Sequence, residues 1–60
     1  MWIVLLTRVT TKGYTQHTTL NEIDGSLRQF EEADDAEVAG HNLLNTKGSK
    51  VVWYEVKRIY

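Results

Sequence analysis

The apolar positions fall into blocks with two different periods. Trp2 to Thr10 (WIVLLTRVT) is aliphatic and β-branched, with Arg8 near its end, which predicts a strand. Nearly every position from 2 to 6 is apolar, as expected for a strand in the middle of a sheet. Lys12-Gly13 supplies a turn signal, and the Thr-rich segment Tyr14 to Ile23 (YTQHTTLNEI) predicts a more polar edge strand returning antiparallel. Asp24-Gly25-Ser26 breaks it.

Two helix starts then compete. Ser26 with Gln29 and Asp34 with Glu37 both have capping-box spacing, and the second pair also sets Ala33 and Val38 at the positions of a hydrophobic staple. Ala33, Ala36, Ala39, Gly40, Leu43 and Leu44 share one face of a 3.6-residue period, so the helix is expected to start near residue 33. Leu27 and Phe30 then belong to a loop tucked beneath it. Asn45 to Ser49, containing Gly48, ends the helix, and Val51 to Tyr60 (VVWYEVKRIY) predicts a third strand.

The order ββαβ gives an α+β fold, a single domain over residues 1–60. The simplest sheet has order 2-1-3, with the third strand parallel to the second and the helix carried over one face by a right-handed crossover. A helix of about 12 residues, roughly 18 Å long, covers only one face of such a sheet. Yet both parities of the first strand are apolar, Trp2, Val4 and Leu6 against Ile3, Leu5 and Val9. The third strand divides likewise, Val52, Tyr54 and Val56 against Val51, Trp53 and Ile59. The second face is therefore expected to serve a homodimer or a partner, unless the 24–32 loop folds back over it.

Composition strengthens the case for association. A 60-residue chain buries only about 60% of the surface exposed by its unfolded form, and without cysteine it has neither a disulfide nor a thiolate zinc site to hold it. Oligomerisation is the remaining common means of support. The apolar run from Met1 to Leu6 is too short for a membrane span or a signal peptide and no basic segment precedes it, so no membrane association and a cytoplasmic location are the expectation.

The net charge is −1, but its distribution is uneven. Residues 22–37 hold seven carboxylates (Glu22, Asp24, Glu31, Glu32, Asp34, Asp35 and Glu37) against Arg28 alone, whereas the rest holds six bases against Glu55 alone. Asp34, Asp35 and Glu37 suit the positive end of a helix dipole. Glu22, Asp24, Glu31 and Glu32 precede the helix, where that explanation fails, and such a cluster could imitate phosphates or steer the protein to a basic site.

Catalytic readings are poor. The only serines, Ser26 and Ser49, lie in the strand-breaking segment and a turn, His17 and His41 match no metal-ligand spacing, and the four glycines are isolated from one another. No enzyme activity, metal or cofactor is expected. Single-stranded nucleic-acid binding is an alternative: Lys12, Tyr14, Trp53, Lys57 and Arg58 could form a basic, aromatic sheet surface.

The apolar first strand ending in Arg8, the polar partner strand, the segment with Phe30, Asp35 and Ala36 opening the helix, and the aromatic last strand together resemble short accessory proteins of bacteriophages and prophages. That resemblance implies a host-directed binding or inhibitory role and transfers no site residue. The expectation is a non-enzymatic protein-binding module, a homodimer, whose partner surface is the seven carboxylates and whose partner offers a basic site.

Overall fold

A computed structural model describes all 60 residues. Its elements are β1 (Trp2–Val9), β2 (Thr15–Thr19), α1 (Ala33–Asn45) and β3 (Val51–Arg58). The sheet has order β2-β1-β3, with β1 antiparallel to both neighbours, so the expected ββαβ arrangement is the one observed. The apolar β1 takes the centre, where its backbone is paired on both edges and its even-numbered side chains Val4 and Leu6 fill the core beneath α1.

The core lies between α1 and one face of the sheet. Val4 and Leu6 of β1, Val51 of β3 and Ala36 of α1 are buried, with Trp2, Leu20, Phe30, Leu43, Leu44, Tyr54 and Val56 packed around them. The helix stripe read from the sequence is the buried one, Ala36 and Gly40 lying innermost. Gly40 is required by a close approach: a Cβ there would stand 2.4 Å from Tyr54 Cδ2 and 2.8 Å from Tyr54 Cγ.

The helix starts near residue 33 as expected, but several local expectations are corrected. The helix begins at Ala33 with Glu32 as N-cap, and no side chain caps it. The Asp34–Glu37 capping box does not form, and Val38 is exposed rather than stapled to Ala33. Glu37 instead accepts a hydrogen bond from the Tyr54 hydroxyl, a partner from the sheet that no local capping rule anticipates.

The second strand is shorter than Tyr14 to Ile23. After Leu20, whose N–H still donates to Val4 O (2.9 Å), the chain leaves the sheet in a small hairpin closed by the Asn21–Leu27 bridge. Gly25, with φ of 92°, makes its turn, and Ile23 is fully exposed at the tip. The chain then rejoins the same edge: Arg28 N–H donates to Leu20 O (3.1 Å), and Phe30 and Trp2 exchange both backbone bonds at 2.7 and 2.8 Å. Phe30 thereby enters the helix-side core, as expected of a loop tucked beneath α1, and the 28–30 segment extends the sheet edge instead of folding over the open face.

The last strand ends at Arg58 rather than Tyr60, although Ile59 N–H still reaches Met1 O at 3.0 Å. Its faces also divide differently. Thr7 pairs with Trp53 but Arg8 pairs with Val51, so Val52 is an extra residue in a β-bulge. Across the bulge the parity switches, sending Val51 into the core and leaving Val52 half-exposed. Lys50, in the left-handed region at φ 61°, turns the chain into β3 and presents its carbonyl to Val9 N–H at 3.1 Å.

Gly40→Ala tests the close approach. Helix propensity alone would favour alanine by about 1 kcal/mol, but the ring carbons nearest the Tyr54 backbone cannot swing away. The net effect is expected to be a loss of about 1–2 kcal/mol, read as a lower urea midpoint at unchanged m-value. In a Tyr54→Ala background the same substitution should turn stabilising.

Candidate functional site

Three surfaces carry the residues singled out by sequence. The first is the sheet face opposite α1. A shallow depression of about 470 Å³ opens there, lined mainly by Leu5, Thr7, His17, Thr19, Trp53 and Glu55. The side chains follow from register: Leu5 pairs with Thr19 and Glu55, and Thr7 with His17 and Trp53, so all six point to the same side. This face is less apolar than its β1 sequence suggests. Ile3 is buried, Leu5 and Ile59 are half-buried, and Trp53 at 64% exposure is its one strongly exposed apolar side chain. Threonines, Glu55 and Lys57 break up the remainder.

The second surface is acidic, and the structure sorts its members by their local bonds. Glu22 faces Arg28 at 3.7 Å, both side chains about half exposed, and Arg28 also lies 4.9 Å over the Phe30 ring. Asp24 accepts from the N–H and hydroxyl of Ser26 at 2.9 and 2.7 Å, closing the 21–27 turn. These bonds, led by the one from the Ser26 hydroxyl, hold the Asp24 carboxyl below its ordinary range. Glu37 is engaged by Tyr54. Asp34 and Asp35 occupy the first turn of α1, where the exposed N–H groups of the helix favour negative charge. Glu31 and Glu32 are exposed, and their side chains make no hydrogen bond or ion pair within the chain.

The third set, Lys12, Tyr14, Trp53, Lys57 and Arg58, does not come together. Lys12 and Tyr14 belong to the turn beyond Val9, while Lys57 and Arg58 pair with Ile3 and Trp2 at the other end of β1. Seven residue-to-residue steps of extended chain, from Ile3 to Thr10, separate those ends by roughly 23 Å. Lys57 shares the open face with Glu55, and Arg58 points to the helix side.

The histidines are likewise apart. His17 Nδ1 sits 3.5 Å from Thr7 Oγ1 on the open face, while His41 on α1 is bonded to Asn45 at 3.0 Å and meets the Tyr54 ring edge-on. No group of three His, Cys, Asp or Glu side chains comes together to hold a metal ion, and no helix is long and apolar enough to cross a membrane.

The Tyr54–Glu37 bond escaped sequence reasoning because Glu37 fits a capping box equally well. The available signal was parity: Tyr54 shares its side of the sheet with Val56 and lies opposite Leu6, beneath the helix. Compared with known proteins, the chain matches no family model, no curated protein and no solved structure.

Two pH limbs follow from these bonds. The hydrogen bond to Glu37, then burial and the Glu37 charge, raise the Tyr54 pKa above 10.0. Its stabilising contribution is therefore complete below pH 10.0 and is lost as pH rises through the folded-state value. The lowered Asp24 pKa acts oppositely, contributing above 3.8 and fading as pH falls through the folded-state value. In urea titrations across pH, Tyr54→Phe should flatten the alkaline limb alone and Ser26→Ala the acid limb alone.

Proposed function

We propose that this protein is a non-enzymatic binding module that engages the basic site of another protein through the start of α1. The observation that carries this reading is the set Glu31, Glu32, Asp34 and Asp35: four exposed carboxylates in five consecutive positions, with no side-chain partner among them or elsewhere in the chain. The dipole of α1 accommodates Asp34 and Asp35. It also favours Glu32 at the N-cap but does little for Glu31, and the mutual repulsion of the four is unfavourable for the isolated fold and offset once a cationic surface arrives.

Glu22, Asp24 and Glu37 take a smaller part, since each has a structural bond of its own. They extend the negative field around the four without needing to touch the partner. The resemblance of the chain's layout to phage and prophage accessory proteins gives this role a specific form, the modulation or inhibition of a host protein. Spatial separation of Lys12 and Tyr14 from Lys57 and Arg58 counts against the nucleic-acid alternative, because a strand-tracking groove needs its cations and stacking rings contiguous.

The test is capture from a bacterial lysate on immobilised protein, with retained proteins identified by mass spectrometry. A specific partner should elute with rising salt and be absent on the Glu31→Lys, Glu32→Lys, Asp35→Lys triple variant. The variant should keep the wild-type circular dichroism spectrum, because these side chains make no hydrogen bond or ion pair in the fold and their loss removes only the modest dipole interaction at the start of α1. Equal capture by the folded triple variant, or a salt-sensitive gel shift of single-stranded oligonucleotide lost on Trp53→Ala with Lys57→Ala, would overturn the reading.

A further inference from the structure

The sheet has two edges, and they differ. The β2 edge is five residues long and interrupted by the 21–27 hairpin, whereas β3 runs eight residues and is packed only by β1 and α1. Backbone direction at the β3 edge follows from one bond. Ile59 N–H donates to Met1 O, so by the alternation of an antiparallel ladder the odd residues Trp53, Glu55 and Lys57 turn their N–H and C=O toward β1. Tyr54, Val56 and Arg58 turn theirs outward, to an edge without a partner strand. The β1 bonds agree, since its even residues Trp2 and Val4 serve the opposite, β2 side.

We propose that β3 pairs antiparallel with β3 of a second copy, about a twofold axis through Val56, giving a six-stranded sheet with both α1 helices on one face. With this axis the outward-facing groups meet: Val56 exchanges backbone bonds with Val56 of the second copy, and Tyr54 with its Arg58. The intervening positions are non-hydrogen-bonded pairs, where side chains stand closest. There Glu55 faces Lys57 of the second copy, twice by symmetry, and Trp53 faces Ile59. On the helix side Arg58 comes beside the Tyr54 ring, a cation–π arrangement.

Charge selects this register over its neighbours. An axis at Glu55 sets the two copies of Glu55 against each other, and an axis at Lys57 does the same to the lysines; like charges directly opposite are destabilising. An axis at Tyr54 runs the pairing into the Val52 bulge and brings Arg58 to Lys50. Charged residues on a free edge commonly prevent pairing. The Glu55, Val56, Lys57 sequence is instead self-complementary under antiparallel pairing. This places self-association at the strand edge rather than on the open sheet face, and it does not depend on what the acidic surface binds.

Sedimentation equilibrium from micromolar to millimolar concentration reads the outcome. The wild type should show a monomer–dimer equilibrium. Glu55→Lys and Lys57→Glu should each weaken it by about tenfold or more by setting like charges opposite one another. An equimolar mixture of these two variants should recover the dimer, because both facing positions then carry opposite charges. Thr19→Lys, on the open face at the far edge, should leave it unchanged. Amide exchange at Tyr54, Val56 and Arg58 should slow as concentration rises. A monomer throughout the range, a dimer that survives both charge reversals, no recovery on mixing, or a dimer lost with Thr19→Lys overturns the proposal.

Discussion

The seating of α1 against the sheet at Gly40 and Tyr54 is the contact on which the remainder of the molecule depends. With no Cβ at position 40 the helix backbone comes down onto the tyrosine ring, and this depth brings Ala36 into van der Waals range of Val4, Leu6 and Val51. A larger residue would lift the helix and open a gap over the only core the chain has. Packing contacts decay steeply with separation, so a lift of even an ångström forfeits a large fraction of them. The same seating brings the Tyr54 hydroxyl to Glu37, fixing the rotation of α1 as well as its height.

That fixed rotation determines what the helix shows to solvent. With Ala36, Gly40, Leu43 and Leu44 inward, the acidic start of α1 must face outward. Phe30 holds the approach to this turn through its backbone pair with Trp2, so Glu31 and Glu32 project from a stretch anchored to the sheet on one side and the helix on the other. A charge cluster held in this way loses less conformational entropy on meeting a partner than one on a free tail. The backbone beneath the acidic run Phe30 to Glu37 is thus anchored at both ends, although only part of the run lacks a structural duty.

Fold and topology were legible because two signals agreed: the apolar run of β1 demanded the sheet centre, and the stripe from Ala33 to Leu44 demanded a single helix. What was not legible shares one physical character, a contact distant in sequence overriding a local preference. The capping box at Asp34 lost Glu37 to Tyr54, 17 positions away. The β2 strand lost its end to a hairpin whose return is rewarded by Phe30 meeting Trp2. A bulge at Val52 moved Val51 into the core, and a one-residue shift exchanges every face assignment on its far side. The acidic site fared similarly: its residues were visible as a list, but the bonds of Glu22, Asp24 and Glu37 that separate them from Glu31 and Glu32 exist only in three dimensions.

So small a body also constrains where association can occur. Only six residues are truly buried, and without cysteine no disulfide supplements them, so the monomer has little surplus stability to set against a strained interface. The open face offers few strongly exposed apolar groups, and the threonines, Glu55 and Lys57 across it would need desolvation with no assured partners. The outer side of β3 instead offers backbone groups already aligned by the β1 ladder, so that pairing adds hydrogen bonds without ordering new chain. In a molecule with one layer of core, extending the sheet sideways is physically less demanding than building a second layer beneath it.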